Sequence, residues 1–361
     1  MISPFPPALR GCILLATLAC LSACDSDTSS SDTVDAAQFE GDASPQQLGM
    51  PDASAQTDAG LASDAETSDG GVSLADAGPP PTVDECFGDI VGALGPDYSP
   101  YDPVMGHHCL GTNHQTIEGV QRVVFLGDSV TKGTPPTRRE EYYRNVLGER
   151  LTALWGDDLV IDDCSDLGAR TDDFLLGKKQ IERCFPEGGD ERTTLVVFTM
   201  GGNDIFEWAQ ADLDLDDALV EADKAAELLD DAITWLTTPR RFPNGSFVIF
   251  ANPYEYTDAT GDLASCDIAR RVGITENWLR GAPSVVYFQS RYMEIATRHQ
   301  VDLIFTLEHF CGHGFHNENP ESQCYRGPNT PRWFDFTCIH PTPEGHGVIA
   351  DMFEAVVIDR R

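Results

Sequence analysis

Five short apolar runs rich in β-branched residues recur along the last two thirds of the chain. They occupy residues 120–127, 158–164, 193–200, 246–253 and 301–307. Runs of this length without alternating polar positions are typical of strands buried on both faces of a sheet. Longer segments lie between them, with apolar residues three and four positions apart as in amphipathic helices. The predicted helices occupy residues 137–155, 216–238, 290–300 and 342–358.

This alternation of strands and helices predicts an α/β fold, with a mostly parallel sheet of about five strands and helices on both faces. Binding and catalytic groups in such sheets lie at the carboxyl ends of the strands. Reactive side chains should therefore follow the apolar runs directly.

A different apolar stretch, "GCILLATLACLSA", covers residues 11–23 after Arg10. It is too short to span a bilayer and fits the apolar part of a secretory signal. The ending "LSAC" resembles the bacterial lipoprotein box, which implies that residues 1–23 are a signal peptide and that Cys24 is lipidated. An ordinary secretory signal with a chance cysteine is the alternative. The lipoprotein interpretation predicts an exported protein, periplasmic or at the cell surface, that meets the membrane only through its lipid anchor.

Residues 24–82 are predicted to be a disordered linker before a folded domain at 83–361. Between residues 25 and 82 the chain holds twelve acidic residues, no Lys or Arg and almost no aromatic residues. Such a segment cannot bury enough apolar surface to offset its chain entropy, and its like charges extend it.

The charge of the chain excludes several classes of partner. Removing the twelve acidic linker residues and Arg10 from the formal charge of −35 leaves −24 for the domain. A domain this acidic has no basic surface for nucleic acid or anionic lipid. No Gly-rich nucleotide-binding motif occurs either, so we predict no cofactor. We expect a monomer that acts on a small-molecule or polysaccharide substrate.

The eleven cysteines indicate disulfides. Cys12 and Cys20 lie in the signal and Cys24 belongs to the lipid, which leaves eight in the domain. These eight are Cys86, Cys109, Cys164, Cys184, Cys266, Cys311, Cys324 and Cys338. An even number in an exported chain is typical of disulfides, and eight cysteines allow 105 pairings. Proximity in sequence favours the pairs Cys86–Cys109 and Cys164–Cys184.

The first predicted strand ends in "GDS", with Ser129 in the turn and Gly127 where the backbone bends. A serine hydroxyl is a poor nucleophile until a base takes its proton, so a catalytic role requires a histidine elsewhere. The structural alternative is a serine that caps the next helix.

Three further motifs lie at comparable positions. The third strand is followed by "GGNDI", where the Asn203 amide could donate to an oxyanion, although Gly and Asn are also common turn residues. The second strand is followed by "LGARTDD", where Gly168 could bring a backbone N–H close to a reacting centre that any side chain would obstruct. The motif "CIHP" places His340 in the loop before the last helix, as the candidate base.

Together these motifs resemble the blocks of the SGNH, or GDSL-type, serine hydrolases. The matching residues are Gly127–Ser129, Gly168, Gly201–Asp204 and His340–Pro341. The resemblance runs from about residue 120 to 358 and implies a three-layer α/β/α sandwich with a flavodoxin-like sheet. It also implies a secreted esterase, lipase or carbohydrate acetylesterase. By this resemblance, Ser129 would form an acyl-enzyme with His340 as base. The oxyanion donors would be the backbone N–H groups of Ser129 and Gly168 and the side-chain amide of Asn203.

The resemblance leaves a third catalytic residue open. The family usually places an aspartate three residues before the histidine, where this chain has Thr337, and Asp335 lies two residues further away. Either a bulged loop lets Asp335 reach His340, or a backbone carbonyl orients His340 in a Ser–His dyad. We favour the dyad, because two extra residues displace a carboxylate beyond hydrogen-bonding distance. A disulfide at Cys338 would help to fix the loop.

Two alternative functions belong to other classes. The segment "HFCGHGFH" carries His309, Cys311, His313 and His316, which could bind zinc in a metal-binding module, although exported cysteines are normally oxidised. Residues 212–217, "DLDLDD", could bind calcium but are also typical of an acidic helix start. We therefore predict no metal. The other alternative keeps the fold without activity, as a carbohydrate-binding surface protein.

Overall fold

The computed structural model describes residues 79, 81–88, 96–271 and 276–359. The predicted signal peptide, the lipidation at Cys24 and nearly all of the predicted linker lie outside these residues. None of the helices in the described part of the chain combines the length and the apolar character that crossing a bilayer requires.

Five parallel strands form one sheet, which confirms the predicted strand number and direction. The strands are β1 (Arg122–Gly127), β2 (Val160–Asp163), β3 (Thr194–Thr199), β4 (Ser246–Ala251) and β5 (Asp302–Ile304). Their order across the sheet is β2-β1-β3-β4-β5, which is the flavodoxin-like order. The order reverses between β1 and β3, so a ligand crevice is expected at the carboxyl ends of these two strands.

Ten α-helices lie in the described part of the chain. They are α1 (Val83–Phe87), α2 (Ser129–Lys132), α3 (Tyr143–Trp155), α4 (Gln180–Cys184), α5 (Gly202–Gln210), α6 (Leu215–Leu236), α7 (Asp267–Arg271), α8 (Pro283–His299), α9 (Thr306–Phe310) and α10 (Pro343–Ile358). Short 3₁₀ helices occur at Ser99–Val104, Arg139–Glu141, Thr171–Asp173 and Leu263–Ser265.

Helices cover both faces of the sheet. Phe125 of β1 and Phe198 of β3 are one residue out of register, so their side chains point to opposite faces. Phe125 meets Tyr143 of α3, with ring centroids 6.2 Å apart. Phe198 instead stacks on Phe250 of β4, which contacts Tyr292 of α8. Since α10 packs against α3 and α6 packs against α8, the fold is the predicted three-layer α/β/α sandwich.

The elements differ from the predicted ones in three places. β2 is an edge strand that leaves Val160 and Ile161 exposed, so it is not buried on both faces as its apolar sequence predicted. The predicted helix at 137–155 is interrupted at Tyr142, whose backbone is extended. α8 begins at Pro283, well before residue 290, because proline is favoured in the first turn of a helix.

All eight cysteines of the domain form disulfides. The pairs are Cys86–Cys109, Cys164–Cys184, Cys266–Cys338 and Cys311–Cys324. The first two are the pairs that proximity in sequence favoured. Four disulfides are typical of a protein that folds in an oxidising compartment, which is extracellular or periplasmic.

Candidate active site

Ser129 lies at the carboxyl end of β1, on a backbone that its neighbours hold in place. Gly127 has a φ of +120°, and a Cβ at this position would collide with the Thr199 carbonyl oxygen. The side-chain amide of Gln180 donates to the Gly127 carbonyl and accepts from the Gly127 N–H, both at 2.8 Å. The Asp128 carboxylate accepts a bond from the Thr199 hydroxyl at 2.8 Å. Ser129 therefore begins α2 at a fixed position.

His340 meets this serine from the other end of the chain. Its Nε2 atom lies 2.9 Å from the Ser129 Oγ atom. The Cys266–Cys338 disulfide and a 3.0 Å hydrogen bond from the Tyr254 hydroxyl to the Ile339 carbonyl hold the loop. Burial lowers the pKa of His340 to about 4, so the imidazole is neutral at neutral pH and Nε2 can accept the serine proton.

The other ring nitrogen of His340, Nδ1, lies 2.8 Å from the Thr337 hydroxyl oxygen. The Thr337 backbone N–H donates to Asp335 Oδ1 at 2.7 Å, and the Thr337 hydroxyl lies 2.5 Å from the same oxygen. Among the described residues, neither the Asp335 carboxylate nor a backbone carbonyl hydrogen-bonds directly to the His340 ring. The structure thus departs from both arrangements expected from the sequence, because a threonine hydroxyl stands between carboxylate and imidazole.

Asn203 lies in the first turn of α5, directly after β3. Its Nδ2 atom donates to the Ala169 carbonyl at 2.8 Å, which uses one of the two amide hydrogens. The next residue, Asp204, accepts bonds from the Thr171 hydroxyl at 2.8 Å and from the Thr171 N–H at 3.2 Å. Burial raises the pKa of Asp204 to about 7. These contacts join the start of α5 to the turn after β2, so Asn203 and the turn that carries Gly168 lie side by side.

Gly168 has a backbone conformation that favours glycine. Its φ is +66°, and a Cβ at this position would meet no protein atom within 4 Å. The protein itself leaves this space open, so the expected obstruction of a reacting centre by a side chain stays a prediction. Within the described residues, the N–H groups of Gly168 and Ser129 make no backbone hydrogen bond, which leaves both available as donors.

A small cavity of about 70 Å³ opens beside Ser129. Met200, Pro253 and Ile339 are among the apolar residues that line it, and Asn203 borders it. The nucleophile candidate and one oxyanion candidate therefore share the wall of one mainly apolar pocket. A pocket with these properties can bind a small apolar group next to the serine oxygen.

Sequence motifs do not reveal two of the three residues that position the site. Gln180 and Tyr254 carry no recognisable motif, and they act on segments far away in the sequence. Thr337 does have a signal, because it occupies the place three residues before His340 where the resemblance leads one to look for an aspartate.

The candidate metal ligands have other partners. Cys311 is bonded to Cys324, His309 Nε2 lies 2.9 Å from the Cys109 carbonyl oxygen, and His313 stacks on a tryptophan ring. Within the described residues, no group of three or more His, Cys, Asp or Glu side chains could hold a metal ion. In the acidic segment 212–217, the Asp214 side chain caps α6.

Comparison with known proteins gives one family match. The model of the GDSL-like Lipase/Acylhydrolase family matches residues 125–348, more than half of the chain. No curated protein matches the chain. Solved structures with a similar fold include an α/β hydrolase from the metagenome of Lake Arreo, Spain (17% identity, 67% of this chain and 98% of that one, TM-score 0.45). Two others are the acetyl xylan esterase AlAXEase (21% identity, 66% and 100%, TM-score 0.44) and the phospholipase A1 of Streptomyces albidoflavus (16% identity, 65% and 99%, TM-score 0.43).

Proposed function

Because this chain belongs to the GDSL-like lipase and acylhydrolase family, we propose that it hydrolyses carboxylic esters through a covalent acyl-enzyme on Ser129. The observation that supports this proposal most directly is the 2.9 Å distance between Ser129 Oγ and His340 Nε2. A serine and a neutral imidazole at this distance are the pair that nucleophilic acyl transfer requires.

In the proposed reaction, His340 takes the proton of Ser129 as the serine oxygen attacks the ester carbonyl. The N–H groups of Ser129 and Gly168 and the free amide hydrogen of Asn203 stabilise the oxyanion. One such donor is worth about 3 kcal/mol of barrier. His340 then returns the proton to the leaving alcohol, and it activates the water that releases the acid.

The cavity beside Ser129 supports a short acyl group. A volume of about 70 Å³ holds only a few water molecules, which is comparable to an acetyl or propionyl group. Met200 and Tyr254 line this space, and a longer chain would have to extend beyond it. We therefore propose acetylated polysaccharide or short acylglycerols as substrates rather than lysophospholipids.

A chain-length series tests this proposal. On p-nitrophenyl esters we expect kcat/KM to be highest for acetate to butyrate and lower by at least about tenfold for octanoate, since misfit of a methylene in a pocket costs about 1–3 kcal/mol. Release of acetate from acetylated xylan, measured alongside, distinguishes polymeric from small substrates. A maximum at eight carbon atoms or more would rule out the short-acyl assignment.

We also infer that the protein is exported and anchored through a lipid on Cys24, with residues 25–82 as its tether. Support comes from the "LSAC" sequence and from the four disulfides of the domain. In a bacterial host we expect labelled palmitate to enter the wild-type protein, whereas Cys24→Ser should remain unlabelled and leave the membrane fraction. A Cys24→Ser protein that still carries lipid would show that the anchor lies elsewhere.

A further inference from the structure

Thr337 lies between a buried carboxylate and the imidazole of His340. Its hydroxyl oxygen is 2.8 Å from His340 Nδ1 and 2.5 Å from Asp335 Oδ1. His340 Nε2 continues the series to Ser129 Oγ at 2.9 Å. Four side chains thus form one continuous line of hydrogen bonds from the carboxylate to the serine oxygen.

The donors and acceptors in this line can point in one direction. An ionised carboxylate only accepts hydrogen bonds, so the Thr337 hydroxyl donates its single proton to Asp335. The hydroxyl oxygen then has lone pairs left, and His340 donates to one of them from Nδ1. A proton on Nδ1 leaves Nε2 with a lone pair, which is the form that can accept the proton of Ser129.

The loop geometry keeps the threonine in this place. The Asp335 N–H donates to the His340 carbonyl at 2.9 Å, and the Cys338 N–H donates to the Asp335 carbonyl at 3.2 Å. The Cys266–Cys338 disulfide ties the same turn to the segment before α7. Asp335 is buried, with only 6% of its surface exposed, so water competes little for its carboxylate. These contacts close the turn around Thr337 and favour one geometry.

We propose that Thr337 and Asp335 form a positioning pair. The Thr337 hydroxyl donates to the Asp335 carboxylate, so its oxygen is left to accept a hydrogen bond from His340. This relay favours the tautomer of His340 that carries its proton on Nδ1. The inference rests on the proposed function, because it assigns a role to His340 as the base. The carboxylate acts on His340 only through the Thr337 hydroxyl. Its effect on the reaction rate should therefore be smaller than that of a carboxylate bonded directly to the histidine.

Kinetics of single and double variants test the relay. We expect Thr337→Val to lower kcat by about 10²-fold with KM unchanged, which is less than the roughly 10⁴-fold loss of a direct carboxylate. Thr337→Ser keeps the hydroxyl and should stay within about threefold of the wild type. Asp335→Ala should also cost about 10²-fold, and because the two residues act as one unit the double variant should be no worse than either single variant.

Several outcomes would overturn the relay. They are full activity of Thr337→Val, a Thr337→Ser variant as slow as Thr337→Val, and losses that multiply to about 10⁴-fold in the double variant. Thr330→Val serves as the matched control, since it removes a threonine hydroxyl bonded to a backbone carbonyl in the same loop and should leave kcat unchanged. Thermal melts of each variant separate unfolding from mispositioning.

The failure of the relay can be told apart from failure of the proposed function. If the wild-type protein hydrolyses esters and its Ser129 reacts with a fluorophosphonate while Thr337→Val is fully active, only the relay is wrong. If the wild-type protein neither hydrolyses esters nor reacts, the proposed function itself is wrong.

Discussion

Replacing Ser129 by alanine is expected to lower kcat/KM for p-nitrophenyl acetate by at least about 10⁴-fold, because the covalent route is lost and only binding and the oxyanion donors remain. The wild-type protein should react with a fluorophosphonate probe at a single site. Peptide mapping should place the label on Ser129, and the Ser129→Ala variant should remain unlabelled.

The size of this effect follows from the environment of the serine. Its oxygen already lies within hydrogen-bonding distance of a base that burial keeps neutral. Ser290→Ala is a suitable control, because that hydroxyl bonds to a backbone carbonyl within α8 and has no contact with the site. Substantial activity in Ser129→Ala would move the nucleophile elsewhere. A wild-type protein without labelling or turnover would instead favour a carbohydrate-binding protein on this fold.

Ser129 and Asn203 could be placed from the sequence because each follows an apolar run directly. β1 and β3 are neighbours on either side of the point where the strand order reverses, so any chain with this topology brings the two turns together. His340 could be assigned as the base because a serine needs one and because the His-Pro motif resembles the last block of the family. The long-range contact itself follows from α10 packing against α3, which no local pattern specifies.

The relay through Thr337 could not be predicted by the same reasoning. The sequence shows that an aspartate is missing three residues before His340 and that Asp335 is nearby. It does not show that the backbone of Asp335 pairs with that of His340, which turns the Asp335 carboxylate inward. Contacts within a closed loop depend on its backbone path, and here part of that path depends on a disulfide to Cys266, 72 residues away from Cys338 in the sequence.

The two buried carboxylates Asp128 and Asp204 illustrate the same limit. Both belong to the motifs that identified the site, yet each accepts a hydrogen bond from a threonine on another segment. Burial raises the pKa of Asp128 to about 6, and its bonds from the Thr199 hydroxyl and the Val130 N–H fix the serine turn. From the sequence alone, both aspartates are equally compatible with a simple turn.

The pH dependence and the loss of His340 give the second prediction of large effect. Since burial lowers the pKa of His340 to about 4, the base is neutral above that pH and protonated below it. We expect protonation of His340 to lower wild-type kcat/KM to half near pH 4. A stopped assay with p-nitrophenyl acetate around this pH measures the acid limb. A midpoint near 6.5, the ordinary value for histidine, would contradict a buried base.

Replacing His340 by alanine should lower kcat/KM by about 10³–10⁴-fold and remove this acid limb, because among the described residues His340 is the base that hydrogen-bonds to the Ser129 hydroxyl. Added imidazole should restore part of the activity by occupying the space that the side chain leaves. His107→Gln is the control, since His107 is exposed and should leave rate and pH profile unchanged. If the acid limb persisted in His340→Ala, it would belong to another group, and the base would have to be sought among the buried carboxylates beside Ser129.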